Sequence, residues 1–275
     1  MHPIQKPVLV IIQGGGCRQI EAATGMLKAL DEQGIIVDLY RGASAGAIVA
    51  ALHASGLSGK RMESIIRLTP VNRLFSRSLW GMFKLLIPGI KCDYLYSTDG
   101  LYAFLEQHIN AVMCLQKVLV SVTRYPDDIS SEYIAEMKPA TPESVRASSA
   151  IQEIFPPVAL DDGIYGDGGL MNNVPTVHIS SISQYEHIYI LLCPEDSTEQ
   201  SKPWTKIGRC LQDADTKFDG EANEVKDTWQ SLDNVTVLQP PPFPSSLLDW
   251  SKDFGLIQHA YEYTKAQLTN NIGAL

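Results

Sequence analysis

One serine in the chain occupies the position a nucleophile requires. Ser44 is the centre of Gly42-Ala43-Ser44-Ala45-Gly46, a G-x-S-x-G pentapeptide. The run Ile35–Tyr40 before it is strand-like. Ala45–Ala54 after it is rich in Ala, Ile, Val and Leu, and Gly56 is placed to stop a helix. Strand, sharp turn and helix are the setting of a nucleophile elbow. The turn predicts a strained backbone at Ser44, tolerated because Gly42 and Gly46 bring no side chains to it. A hydroxyl there lies at a helix N-terminus, where the dipole and free N–H groups favour developing negative charge. Such a serine needs a base. Asp167 stands among Gly166, Gly168 and Gly169, and glycines allow an acid a close backbone approach. The same Asp-Gly-Gly also reads as a plain turn. His178, His187 and His259 follow Asp167, so a triad in the chain order Ser…Asp…His stays open.

A second glycine cluster, Gly14-Gly15-Gly16-Cys17-Arg18, lies between the β-branched run Pro7–Gln13 and a helical stretch Gln19–Gln33. Ile20, Ala23, Leu27 and Leu30 fall on one face of that helix, and Gly34 closes it. A glycine-rich loop between strand and helix can cradle an anion with its N–H groups. The dinucleotide fingerprint fails here, because Gln19 stands where the third glycine belongs. The P-loop pattern fails at Gly59-Lys60, where Arg61 replaces Ser/Thr and Ala54 replaces the first glycine. Two readings remain: an oxyanion hole, which needs convergent N–H groups, and a tight turn without a ligand.

The elements that must position these residues alternate along the chain. Lys117–Thr123, Glu132–Met137, Gly163–Asp167, His187–Cys193 and Asn234–Gln239 read as further strands. Asp99–Ile109 behind an N-cap at Thr98, Glu143–Ala150 behind Thr141-Pro142, Trp204–Glu224 and Phe254–Thr269 read as helices. Such alternation predicts an α/β fold, a three-layer α/β/α arrangement around a mostly parallel central sheet, in one domain over 1–275. The 275 residues are 45% hydrophobic and 19% charged, enough to bury a sizeable core. A net charge of −9 argues against a nucleic-acid partner. Cys17, Cys92, Cys114, Cys193 and Cys210 are odd in number and form no C-x-x-C, so neither a disulfide framework nor a zinc site is expected. That usage fits a reducing compartment. No signal-peptide h-region precedes the glycines, and no stretch is long enough for a membrane span. The expected location is cytoplasmic, with any membrane contact peripheral.

Residues 60–97 differ from the rest. Lys60, Arg61, Arg67, Arg73, Arg77, Lys84 and Lys91 are interleaved with Leu74, Phe75, Trp80 and Phe83, against the single acid Glu63 up to Cys92. This basic, aromatic-containing pattern suits contact with anionic lipid or a lid over an apolar pocket. It suits a solvated helical face equally well.

Four stretches together resemble the patatin-like phospholipases. They are Gly14-Gly15-Gly16-Cys17-Arg18, Gly42-Ala43-Ser44-Ala45-Gly46, Ala147-Ser148-Ser149-Ala150 with Phe155-Pro156-Pro157, and Asp167-Gly168-Gly169 with Asn172-Asn173-Val174-Pro175. They span Val8–Pro175 in the family's order, and Gln19 departs from the glycine usual after the arginine. The resemblance implies a Ser–Asp dyad without a catalytic histidine. No cofactor is expected, and with no H-E-x-x-H or paired-histidine spacing no metal is expected either. It implies that Ser44 forms an acyl-enzyme with an acyl-lipid substrate such as a phospholipid or lysophospholipid, and that Asp167 is the base. N–H groups of Gly15, Gly16 and Cys17 would hold the oxyanion, with Arg18 supporting the loop. A carboxylate is a weak base toward a hydroxyl, so Asp167 is expected in a desolvated pocket that raises its pKa. The open alternatives are a triad esterase and a catalytically silent lipid-binding protein of the same fold.

Overall fold

The structure, a computed structural model, describes residues 6–77, 94, 96–126, 132–177, 179, 181–197 and 206–272. Its strands are β1 (Val8–Ile12), β2 (Leu39–Ala43), β3 (Ser76–Arg77), β4 (Tyr96–Ser97), β5 (Val118–Arg124), β6 (Ile134–Pro139), β7 (Val158–Leu160), β8 (Gly163–Asp167), β9 (His187–Leu191) and β10 (Val235–Leu238). Its α-helices are α1 (Gly16–Glu32), α2 (Ala45–Ala54), α3 (Gly59–Leu68), α4 (Val71–Leu74), α5 (Asp99–His108), α6 (Ala111–Lys117), α7 (Pro142–Ser148), α8 (Lys206–Trp229) and α9 (Gly255–Ile272).

The main sheet runs β10-β9-β1-β2-β5-β8-β7, with β6 on the other side of β5. From β10 to β5 every pair is parallel, while β6, β7 and β8 pair antiparallel. Strand β1 is apolar throughout because both of its faces are covered. Val10 and Ile12 join one core with Ala23, Leu27 and Leu30 of α1, Val49 of α2 and Ile257 of α9. Leu9 and Ile11 alternate to the opposite face and pack with Ile188 and Ile190 of β9 and Val225 of α8. That alternation produces the three layers expected from the sequence.

The register of the sheet brings distant residues together. Ile12 pairs with Gly42, so the loops leaving β1 and β2 emerge side by side at the carboxyl end of the parallel strands, where α/β sheets place their ligands. Strand β6 occupies one edge of β5 from Leu119 to Arg124. The other edge is shared: β2 pairs with it up to Ala43↔Ser121, and β8 arrives from the opposite direction to end at Val122↔Asp167. The carboxyl ends of β2 and β8 thus meet head to head on β5. Ser44 follows one end and Asp167 closes the other.

Several sequence expectations shift. The strand expected at Ile35–Tyr40 is β2 at Leu39–Ala43, and α1 begins within the glycine cluster rather than at Gln19. Thr98 occupies the N-cap of α5 without capping it through its side chain. Its Oγ1 instead accepts from Arg146 Nε at 2.8 Å. In the basic stretch 60–97, residues 78–93 and 95 lie outside the described residues. Its described beginning is α3, whose Met62 and Ile66 are buried, and Arg67 pairs with Glu63 at 2.9 Å. Among the described residues no helix is long and apolar enough to cross a membrane.

Candidate active site

Ser44 is the residue between β2 and α2, held at φ 50°, ψ −123°, a left-handed conformation that costs a non-glycine residue of order 1–3 kcal/mol. The surroundings hold it there. Its N–H donates to Ser148 Oγ at 2.9 Å, and Ser148 Oγ donates onward to Ser121 O at 2.6 Å. Ser149 Oγ reaches Ser44 O at 3.3 Å. Both serines come from α7 and its C-cap, and Thr141 fixes the start of that helix by accepting from Ser144 N at 3.1 Å. The flanking glycines supply room. A Cβ on Gly46 would stand 2.3 Å from Ile12 O, and one on Gly42 would stand 2.5 Å from Gly46 O.

Ser44 Oγ donates to Asp167 Oδ2 at 2.6 Å. Both residues are buried, each 5% exposed. Asp167 is fixed through its backbone by Asp167 N to Ala150 O at 3.0 Å and Thr123 Oγ1 to Asp167 O at 2.8 Å. Its other carboxylate oxygen accepts from Gly169 N at 2.7 Å. Burial pushes the Asp167 carboxyl from 3.8 up to about 7, against the opposing pull of the hydrogen bonds from Ser44 and Gly169. Gly168 is a glycine because its Cα passes β5 closely, and a Cβ there would lie 2.0 Å from Ser121 O.

The glycine loop lies beside this pair. Gly15 and Gly16 have φ of 152° and 58°, values that only glycine adopts readily. Among the described residues neither N–H has an acceptor, and both lie at the N-terminus of α1. Gly14 N donates to Asn173 O at 3.1 Å. Cys17 is different: its N–H already donates to Leu247 O at 2.8 Å, and Arg18 N donates to Ser246 O at 3.2 Å. The donors the loop leaves open are therefore those of Gly15 and Gly16. The Arg18 side chain is 1% exposed. It pairs with Asp215 of α8 and donates through Nε to Cys193 Sγ at 3.2 Å, so it ties the start of α1 to α8. Gln19, the departure from the family pattern, donates to Leu191 O at 2.9 Å.

Asn173 is a residue whose place only the fold reveals. Its side chain is fully buried, and among the described residues neither Oδ1 nor Nδ2 has a partner. A Cβ on Gly14 would stand 2.2 Å from Asn173 Oδ1, and one on Gly169 would stand 2.6 Å from it. Both glycines make room for this amide, which lies between the glycine loop and the Asp167 loop.

Two of the three histidines that follow Asp167 are elsewhere. His187 Nε2 meets Thr236 Oγ1 at 2.8 Å, and His259 Nε2 meets Pro241 O at 3.1 Å. His178 lies outside the described residues. Cys17, Cys114 and Cys193 are free and buried. Among the described residues no group of three or more His, Cys, Asp or Glu side chains is arranged to hold a metal ion.

Fold and site together define an α/β protein with a serine–aspartate pair at the carboxyl end of a parallel sheet. The chain belongs to the patatin-like phospholipase family, whose model matches residues 10–178. It is 23% identical over 297 residues to lysophospholipase nte1 of Aspergillus oryzae, a match covering 96% of this chain and 18% of that protein. It is 26% identical over 200 residues to the human patatin-like phospholipase domain-containing protein 6, covering 70% of this chain and 14% of that protein. The chain therefore spans less than a fifth of either relative. Among solved structures, VipD from Legionella pneumophila aligns over 97% of this chain and 67% of its own, with a TM-score of 0.55 and 16% identity. That likeness is one of fold.

Proposed function

We propose that the protein is a serine lipid acyl hydrolase of phospholipase A or lysophospholipase type. The observation that carries this reading is the direct 2.6 Å hydrogen bond from Ser44 Oγ to the buried Asp167 carboxylate. Asp167 Oδ2 takes the hydroxyl proton as Ser44 Oγ adds to the ester carbonyl carbon. The N–H groups of Gly15 and Gly16 receive the oxyanion. Collapse of the tetrahedral intermediate expels the alcohol, which takes the proton back from Asp167 and leaves an acyl group on Ser44. Asp167 then deprotonates a water that attacks the acyl carbon, and the departing Ser44 oxygen recovers its proton. A base works best when its pKa lies near the working pH. The raised pKa of Asp167, about 7, suits that role.

The residues involved come from β2, α1, β8 and α7, interlocked on one sheet, which supports reading the chain as one domain. The test is fatty-acid release by purified protein from phospholipids, lysophospholipids, acylglycerols and a short p-nitrophenyl ester, with and without Ser44. Release that is identical in Ser44→Ala would refute the reading.

Two further outcomes are expected. A Cβ on Gly16 would stand 2.0 Å from Leu247 O, at a backbone φ of 58°. Gly16→Ala therefore displaces the loop from its oxyanion position, and kcat falls about 10²-fold or more, the scale of one lost oxyanion donor. The measurement is kcat on a soluble ester, with circular dichroism to establish that the variant is folded. The histidines give the opposite result. His187→Ala and His259→Ala each keep kcat/KM within about tenfold of wild type, because neither side chain bonds to Ser44 or Asp167. His178→Ala, tested alongside, is expected to do the same. A collapse in any one of the three would assign the base to a histidine.

A further inference from the structure

Ser44 opens on a narrow apolar cleft of about 20 Å³. Its lining includes Ile20, Ile48, Phe75 and Phe155 together with Leu247 and Leu248. The two leucines come from the stretch between β10 and α9, beyond residue 178, where the family match ends.

This stretch is fastened by its own backbone. Ser246 and Leu247 accept from the N–H groups of Arg18 and Cys17. Downstream, Ser251 N and Oγ donate to the buried Glu21 carboxylate at 2.6 Å and 2.5 Å, and Trp250 Nε1 donates to Thr69 O at 2.9 Å. The main chain is thus pinned to α1 and to the end of α3, and the half-buried side chains of Leu247 and Leu248 remain as wall.

The chemistry of the cleft selects one part of a lipid. Among the described residues no charged side chain lines it, so there a phosphate or an ammonium headgroup would be desolvated without a partner. An acyl chain has no polar group to desolvate on entering and gains apolar burial with each methylene. The cleft is also small, so a long chain has to move part of its wall. We propose that Leu247 and Leu248 are specificity-determining residues that set which acyl-chain lengths reach Ser44. This rests on the reading of Ser44 as the acyl-accepting nucleophile.

The test is kcat/KM on p-nitrophenyl acetate, butyrate, octanoate and laurate for wild type, Leu248→Ala, Leu247→Ala and Leu248→Trp, with a thermal melt of each. The backbone hydrogen bonds do not depend on the substituted side chains, so the wall changes shape while its fastening stays. The laurate-to-acetate ratio should rise about tenfold or more in the alanine variants, the scale on which pocket shape discriminates a few methylenes, and fall in Leu248→Trp. A ratio within about twofold of wild type in every folded variant would overturn the assignment. The two levels of the argument separate cleanly. If wild type cleaves no ester and takes no fluorophosphonate, the hydrolase reading fails and this proposal fails with it. If the esters are cleaved with an unchanged chain-length ratio, only the role of Leu247 and Leu248 is wrong.

Discussion

Asp167→Asn lowers kcat/KM on a soluble ester by about 10³–10⁴-fold, the loss expected when a catalytic carboxylate becomes an amide of the same shape. The amide cannot accept the Ser44 proton, and its NH₂ donates toward Oγ where the carboxylate accepted. The wild type should show an acid limb in kcat/KM near pH 7, because burial places the Asp167 pKa at about 7 and only the ionised form is a base. In Asp167→Asn the residual rate has no such limb. The same substitution should raise stability. Burial raises the folded-state pKa from 3.8 to about 7, so the folded protein holds this proton more tightly than the unfolded chain does. The resulting stabilisation is fully present below the unfolded value and is lost as pH rises through about 7. At about pH 8 the wild type carries a desolvated charge that the asparagine variant lacks, and the variant should melt higher by about 3 °C or more. The difference should shrink as pH falls and vanish below the unfolded value of 3.8. Melting curves at about pH 8 and below that value check this. A variant less stable than wild type at the higher pH would mean that the Asp167 charge is well solvated.

Ser44→Ala carries the other large effect. Loss of a nucleophile that acts together with its base costs about as much as removing the whole constellation, on the order of 10⁶ in kcat. The variant should remain folded. Among the described residues the hydroxyl bonds to Asp167, and the bonds that hold the backbone of Ser44 come from Ser148 and Ser149. Alanine at φ 50° is no more strained than serine there. Measured activity should fall to the background rate while the far-ultraviolet spectrum stays unchanged.

The sequence reveals some of this site more readily than the rest. Helix α2 falls where its apolar run and Gly56 place it, because Ala45–Ala54 is locally helical and ends on a positive-φ glycine. The position of β2 was not legible. Ile35 and Ile36 have strand propensity, yet Ile36 is 78% exposed. The strand instead runs through Arg41-Gly42-Ala43, whose composition carries no strand signal and which pair because β1 and β5 flank them. Tertiary pairing outweighs local propensity in such a central strand. The head-to-head meeting of β2 and β8 on β5 is likewise invisible in a chain where Ser44 and Asp167 lie far apart. The glycine loop announced its N–H groups. It gave no sign that Leu247 would accept the one from Cys17, because a carbonyl's partner leaves no mark in composition. Asn173, Ser148 and Ser149 could be quoted as motif letters, but their roles around Ser44 are properties of the folded chain.

The most direct measurement of the central claim is covalent labelling. A fluorophosphonate transfers its phosphonyl group to an activated serine oxygen with loss of fluoride, and intact mass followed by peptide mapping locates it. Wild type should take up one label, on Ser44. Asp167→Asn should label far more slowly, and Ser44→Ala should not label at all. Label that persists in Ser44→Ala, or that maps to another residue in wild type, would contradict the assignment of Ser44 as the nucleophile.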